Sequence, residues 1–187
     1  MANPGETILM PRNVHTSVIK TCAMQNILPI FFDLEFSTET GHYKPVTKIW
    51  LKNVFKKLNF SEHKIVGVIL VNPTYHGYAG DLEPVIDLCH EKNLPVLVDE
   101  AHGSYFLFCE NLDLPKSALS SDADLVVQSL HKSLNGLTQT AALWYKGNLV
   151  NEHNLIKSIN LLQTTSPSSL LLSSCEESIR DLSLIHI

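Results

Sequence analysis

Two polar clusters follow apolar runs of strand length near the middle of the chain. The cluster Asp99-Glu100-Ala101-His102 follows residues 94–98, and the cluster Ser129-Leu130-His131-Lys132 follows residues 124–128. Open α/β sheets build their ligand sites at the carboxyl ends of such strands. A carboxylate and an amine presented together at that edge suit pyridoxal phosphate, which needs a lysine for its aldehyde and an acid for its pyridine nitrogen.

Lys132 and Asp99 are the candidates for these two roles. Ser129 and His131 place a hydroxyl and an imidazole beside Lys132, and both groups are useful for binding a phosphate. On position alone, a surface lysine in a loop is the favoured interpretation, and the presence of Asp99 is what shifts it toward the cofactor role. An acid that ends a buried strand is costly to desolvate unless it meets a cation, such as a protonated pyridine nitrogen. An acid that caps the next turn or contacts a metal is the alternative for Asp99.

Two further segments end strands at the same edge of the predicted sheet. Residues 72–77 follow the strand 65–71, and Thr74, Tyr75 and His76 are candidates to face the crevice, although the sequence does not distinguish among them. His15 follows the first strand, so it either stacks on a planar ring or begins a helix. Both segments are therefore candidates for the cofactor crevice.

The string Asp99 to His102 is also similar to the magnesium-binding strand of helicase ATPases. That function requires a phosphate loop of the form Gly-x-x-x-x-Gly-Lys-Ser/Thr, and the chain contains none. It also leaves Ser129 to Lys132 without a role. The helicase interpretation is therefore disfavoured.

The elements that must position these residues alternate along the chain. Strands are predicted at residues 6–10, 28–34, 65–71, 94–98, 124–128 and 138–145. Helices are predicted at residues 15–24, 46–58, 81–92, 152–162 and 168–182, with Asp81 capping the third. This alternation predicts an α/β three-layer sandwich with a mostly parallel sheet covered on both faces.

Composition limits the class of protein. The 187 residues are 44% hydrophobic and 18% charged, with a net charge of −5, which is typical of one globular domain. The sequence has no clustered stripe of basic residues, so no nucleic-acid partner is predicted. It also has no apolar run long enough to predict a membrane span. The four cysteines show neither zinc nor disulfide spacing, so no metal site is expected. Reduced thiols predict a cytoplasmic protein.

With these residues assembled, the chain resembles the Orn/Lys/Arg decarboxylase family, a bacterial-type branch of fold type I pyridoxal enzymes. The most specific part is Ser129-Leu130-His131-Lys132 with Leu137-Thr138-Gln139, which is similar to the family's cofactor attachment signature. Similar motifs extend from Pro4-Gly5-Glu6 to residues 164–168. The resemblance implies a lyase of amino-acid metabolism that decarboxylates lysine, arginine or ornithine for polyamine biosynthesis, and that binds its amino-acid substrate as a homodimer or higher homo-oligomer.

The resemblance also implies a role for each candidate residue. Lys132 forms the Schiff base with the cofactor, Asp99 pairs with the pyridine nitrogen, and His15 stacks on the ring. The remaining implied cofactor contacts are Ala101 on the other ring face, His102 beside it, and Ser129 and His131 at the phosphate. Residues 165–168 are implied to face the partner subunit's site.

Two parts of the family pattern are absent from this sequence. The family has an upstream Gly/Ser/Thr-rich loop that binds the cofactor phosphate at a helix N-terminus, and a small C-terminal domain that helps to close the site. Residues 1–182 are therefore expected to form a partial large domain that retains the cofactor weakly. A C-terminal tail follows at 183–187, and the sequence leaves open whether this tail is native. Another fold type I reaction, such as transamination or aldol cleavage, and a noncatalytic fragment are the alternatives.

Overall fold

A six-stranded sheet forms the centre of the molecule, in a computed structural model that describes residues 1–60, 62–108 and 113–184. The strands are β1 (Thr7–Pro11), β2 (Leu28–Phe32), β3 (Phe36–Ser37), β4 (His42–Tyr43), β5 (Ile65–Val71), β6 (Val96–Asp99), β7 (Leu125–Gln128) and β8 (Ala142–Tyr145). The sheet order is β2-β1-β5-β6-β7-β8, and β3 pairs with β4 as a separate hairpin. All pairs in the sheet are parallel except β7 with β8. The predicted α/β class with a mostly parallel sheet is confirmed.

Helices cover both faces of this sheet. They are α1 (Thr16–Met24), α2 (Lys48–Lys57), α3 (Glu83–His90), α4 (Leu130–Ser133), α5 (Glu152–Leu162) and α6 (Ser169–Leu184). Neighbouring side chains of a strand point to opposite faces, so β1 and β5 each contribute to two cores. The core against α2 and α3 includes Leu9, Leu51, Val68, Leu70 and Ile86. The core against α1 includes Ile8, Met10, Cys22 and Ile69. The result is the three-layer sandwich that the sequence predicts.

Side chains cap the N-termini of three of the described helices, α1, α2 and α5, and the cap predicted for α3 is wrong. The Nδ1 of His15 accepts a hydrogen bond from the Ser17 N–H at 3.3 Å at the start of α1. At α3, the capping residue is Leu82 instead of Asp81, and no side chain caps the helix. Pro84 lies in its first turn and has no N–H to satisfy, which reduces the need for a cap.

Local backbone chemistry shifts two predicted strand boundaries. Strand β6 begins at Val96 instead of residue 94, after Pro95, which has no N–H to donate to a ladder. Strand β8 begins at Ala142 instead of residue 138. The preceding residues form a turn in which the Thr140 N–H and hydroxyl both donate to the Leu137 carbonyl, at 3.1 and 2.7 Å.

Three short elements are absent from the sequence-based assignment. They are the hairpin of β3 and β4, a 3-10 turn at Phe106–Phe108, and the four-residue helix α4. Strands of two residues carry too little alternation to be recognised by periodicity. Helix α4 matters most, because it holds Lys132 on a helix directly after β7 instead of in a loop.

In the part of the chain that the structure describes, no helix is both long and apolar enough to cross a membrane. Cys22 and Cys89 are buried free thiols, and burial raises the pKa of Cys89 to about 12. Cys109 and residues 185–187, which make up most of the predicted tail, lie outside the described residues.

Candidate functional site

A cleft opens where the parallel strands end, and five of the predicted site residues line it. The side chains come from the segments that follow β1, β5, β6 and β7, as expected for the carboxyl edge of an open sheet. The lining consists of Asn13, His15, Val71, Pro73, Tyr75, Asp99, Ala101, His102 and Lys132. The structure therefore brings Lys132, Asp99, His15, Ala101 and His102 together.

Asp99 is the last residue of β6 and is held from both neighbouring strands. It pairs in register with Val71 of β5 and Val127 of β7. Its Oδ1 accepts a hydrogen bond from the Ala101 N–H at 3.1 Å, and its carbonyl accepts one from the Asn72 N–H at 3.1 Å. The half-buried carboxylate is thus fixed at the sheet edge, where a cationic ring nitrogen could meet it.

Lys132 and His102 contact each other across the cleft. The Lys132 Nζ lies 3.5 Å from the His102 Nε2. Burial lowers the pKa of His102, and the nearby Lys132 charge lowers it further, against an opposing effect from Asp99. These effects favour a neutral imidazole. If the ring proton is on Nδ1, Nε2 is free to accept a hydrogen bond from the lysine amine.

His15 and Ala101 flank the cleft in different ways. His15 is exposed, and besides capping α1 its Nδ1 lies 2.8 Å from the Ser17 Oγ, which fixes the ring at the start of the helix. Ala101 is buried and contributes a small apolar surface. Both residues lie where a planar cofactor ring would be received, and their stacking on that ring stays a prediction.

Ser129 and His131 are not among the residues that line the cleft. The Ser129 carbonyl accepts a hydrogen bond from the Ser104 hydroxyl at 3.2 Å. The His131 Nδ1 lies 2.9 Å from the Thr140 carbonyl oxygen, so this nitrogen carries the proton and donates it. Both residues support the backbone around α4, and their contact with a cofactor phosphate stays a prediction.

Glu100 forms a buried network that sequence reasoning missed. Its side chain is fully buried behind Asp99, and its two oxygens accept hydrogen bonds from the Ala118 N–H at 2.7 Å and the Gln128 Nε2 at 2.6 Å. The Gln128 Oε1 in turn accepts from the Trp144 Nε1 at 2.7 Å. Burial raises the pKa of Glu100 to about 7, although both hydrogen bonds lower it. The network joins β6, β7 and β8 directly behind the cleft.

Asn13 and Tyr75 line the cleft as well. Of the three candidates after β5, Tyr75 lines the cleft, whereas the Thr74 hydroxyl accepts from the Tyr78 N–H at 3.2 Å and stabilises the turn. The Asn13 Oδ1 is buried without a hydrogen-bond partner. A buried acceptor of this kind is costly unless a donor satisfies it. No residue pattern around Asn13 predicts that its side chain lines the cleft.

The donor set of the cleft fits pyridoxal phosphate. A carboxylate and a primary amine lie in one cleft with two imidazole rings and an apolar floor, and the buried amide oxygen of Asn13 lacks a hydrogen-bond partner. These are the groups that the ring nitrogen, the aldehyde and the ring faces of this cofactor require. The fit covers the ring end of the cofactor.

Comparison with known proteins identifies relatives over nearly the full length of this chain. The family model for the Orn/Lys/Arg decarboxylase major domain matches residues 1–182. An arginine decarboxylase of Bacillus cereus is 40% identical over 177 residues, which cover 94% of this chain and 37% of that protein. The chain thus spans little more than a third of the length of this relative.

Solved structures share the fold at lower identity. The constitutive lysine decarboxylase of E. coli superposes with a TM-score of 0.74 at 21% identity, covering 98% of this chain and 26% of that one. A pyridoxal-phosphate-bound putative aminotransferase from Clostridium difficile superposes with a TM-score of 0.73 at 16% identity, covering 99% of this chain and 48% of that one. These similarities establish the fold that the sequence resemblance implied.

Proposed function

The chain belongs to the Orn/Lys/Arg decarboxylase family, and we propose that it forms the central part of a pyridoxal-phosphate-dependent decarboxylase of basic amino acids. The observation that carries the proposal is the convergence of Asp99 and Lys132 in one cleft with His15 and Ala101. When bound there, the cofactor supplies an electron-withdrawing ring that accepts the electron pair left by the departing carboxylate.

Asp99 would keep a proton on the cofactor's ring nitrogen. Its carboxylate already accepts one hydrogen bond from the Ala101 N–H, and it retains the capacity to accept another from a ring N–H. A negative charge in this half-buried position favours the protonated form of its partner. His15 and Ala101 would hold the two ring faces, and Val71 and Pro73 would exclude water from the floor.

Lys132 would hold the cofactor's aldehyde carbon until the substrate amine replaces it. A lysine performs this role only as a neutral amine, so its proton must be accepted by a neighbour or by water. The His102 Nε2 at 3.5 Å is placed to accept a hydrogen bond from that amine. His102 would thereby keep the Lys132 Nζ directed into the cleft.

Arginine is the substrate that the relatives favour. The B. cereus protein and a B. subtilis protein, 37% identical over 177 residues and matched over 35% of its length, are both named arginine decarboxylase. The proposed product is therefore the corresponding amine, a precursor for polyamine biosynthesis. The buried free thiols of Cys22 and Cys89 support a cytoplasmic location.

A second copy of the chain is the proposed macromolecular partner. Helix α5 has no buried residue, and leucines on α5 and at the start of α6 are exposed. They are Leu161, Leu162, Leu170 and Leu172. Exposed apolar patches of this kind mark interaction sites in globular proteins. The patch lies next to residues 165–168, which the family resemblance directs toward a partner's site.

Release of carbon dioxide tests the proposed reaction. The chain, supplied with pyridoxal phosphate, is expected to release label from arginine radiolabelled in its carboxylate. Lys132→Ala should lower the rate by at least about 100-fold, because the lysine that holds the cofactor is lost. The matched control Lys52→Ala removes an exposed lysine of α2 and should leave the rate unchanged. Equal release by both variants, or formation of a keto acid without carbon dioxide, would contradict the proposal.

A further inference from the structure

Five aromatic rings form a row that begins in the cleft and continues onto the surface. The ring of Tyr75 lies 5.5 Å from the rings of both His102 and His76, edge-on to each. His76 stacks on His42 at 4.0 Å with an interplanar angle of 19°, and His42 lies 5.9 Å from Tyr78. We name these five residues the aromatic row. Its inner end, His102, is the residue that contacts Lys132.

Packing within the protein does not explain the inner part of this row. Tyr75 is 79% exposed although it lines the cleft, so its ring contributes little apolar burial to folding. The rings come from three separate segments: the β3–β4 hairpin, the turn after β5 and the residue after Ala101. The hairpin packs its own pair, Phe36 against Tyr43 at 5.4 Å, apart from the row. These three segments thus bring the rings of the aromatic row together at the entrance of the cleft.

The charge distribution in the cleft determines which groups the aromatic row can bind. Among the described residues that line the cleft, Asp99 is the one carboxylate, and the proposed function commits it to the cofactor's ring nitrogen. A cationic side chain that enters beside the cofactor therefore meets π faces in this part of the protein. Aromatic faces attract cations, and they bind guanidinium groups especially well because these are planar and weakly hydrated.

We propose that the aromatic row, through Tyr75, binds the guanidinium end of the substrate's side chain. This inference rests on the proposed function and deepens it, because it assigns a residue to the selection of arginine over lysine and ornithine. The position suits the chemistry: Tyr75 is separated from the Lys132 amine only by His102, so a substrate attached near Lys132 extends its side chain along the row.

Binding of agmatine, the amine left when arginine loses its carboxylate, tests the assignment without any catalysis. Isothermal titration calorimetry on the cofactor-free chain measures its affinity. Tyr75→Leu keeps an apolar side chain but removes the π face of an exposed ring, and it should weaken agmatine binding by about 2- to 5-fold. Tyr75→Phe keeps the face and should retain the affinity. The affinity for cadaverine, which ends in an ammonium group, should fall by less than about 2-fold in the Leu variant because ammonium is more strongly hydrated.

Tyr43→Leu is the matched control, because Tyr43 is a partly exposed tyrosine of the hairpin that is not in the row. It should bind agmatine as the wild type does. The inference is overturned if the wild type does not bind agmatine, if Tyr75→Leu binds it unchanged, or if agmatine and cadaverine lose affinity equally. Equal weakening in Tyr43→Leu would also overturn it.

A parallel measurement separates this inference from the proposed function. Borohydride reduction with pyridoxal phosphate fixes the cofactor on the lysine with which it reacts. Labelling at Lys132, combined with agmatine binding that does not depend on Tyr75, would overturn the inference and leave the proposed function intact. Agmatine binding that depends on Tyr75, without labelling at Lys132, would overturn the proposed cofactor site and leave the guanidinium-binding role of Tyr75.

Discussion

Replacing Glu100 by glutamine should change how the stability of the protein depends on pH. The carboxyl group is fully buried, and its two oxygens accept from the Ala118 N–H and the Gln128 amide. Because burial raises its pKa from the ordinary value of 4.5 to about 7, the folded protein binds the proton more tightly than the unfolded chain does. The stabilisation from this proton is complete below about pH 4.5 and is lost as the pH rises through 7.

The magnitude follows from the two pKa values. A pKa raised from 4.5 to about 7 corresponds to a loss of about 3 kcal/mol in the free energy of unfolding between those pH values. The glutamine of Glu100→Gln cannot titrate, so the free energy of unfolding of this variant lacks this loss between the two pH values. At low pH the protonated carboxyl can still accept hydrogen bonds through both oxygens, whereas the NH₂ group of the variant cannot accept from the donor that it faces. The variant should therefore be less stable by about 1–3 kcal/mol at low pH.

Urea denaturation of both proteins at pH 5, 6, 7 and 8 measures the difference. The stability gap between wild type and Glu100→Gln should narrow with rising pH and close or reverse near pH 8. Contributions from groups that both proteins share cancel in the difference. Glu39→Gln, at an exposed position near the hairpin, is the control and should show a gap near zero at every pH. A Glu100 gap that stays constant from pH 5 to 8 would refute the reasoning.

Three further substitutions test the cleft and its support. Asp99→Asn should retain cofactor labelling but lower carbon dioxide release by about 100-fold or more, and near-normal release would contradict its proposed role. Gly103→Ala should lower the urea midpoint by an amount equivalent to about 1–3 kcal/mol, because a β-carbon there would lie 2.7 Å from the Pro73 ring. An unchanged midpoint would contradict this prediction and would show that the backbone shifts without cost. Trp144→Phe should lower the free energy of unfolding by about 1–3 kcal/mol, because it leaves the Gln128 Oε1 without its donor. Thermal unfolding measures this loss, and an unaltered transition temperature would contradict it.

The sequence predicts the central strands and the position of the cleft because both depend on apolar periodicity. Strand β5 matches its predicted bounds, and Asp99 and Lys132 meet because parallel strands place their carboxyl ends at one edge. The family motif assigned chemistry to these residues. Neither periodicity nor motif specifies side-chain partners between strands that are distant in sequence.

The features that the sequence did not predict depend on such partners. Glu100 precedes Gln128 by 28 positions, and only the pairing of β6 with β7 brings their side chains together. The aromatic row depends on a hairpin of two-residue strands that places His42 on His76. Helix α4 and the Leu82 cap likewise depend on local backbone geometry that residue types alone do not reveal.

Mapping the lysine that reacts with pyridoxal phosphate tests the central claim most directly. The purified chain is titrated with the cofactor, reduced with borohydride and digested, and the labelled peptide is sequenced. The cleft geometry predicts label confined to Lys132, saturable with cofactor and absent from the Lys132→Ala variant. Label spread over exposed lysines such as Lys52, or label that persists in Lys132→Ala, would contradict the assignment of this cleft as the cofactor site.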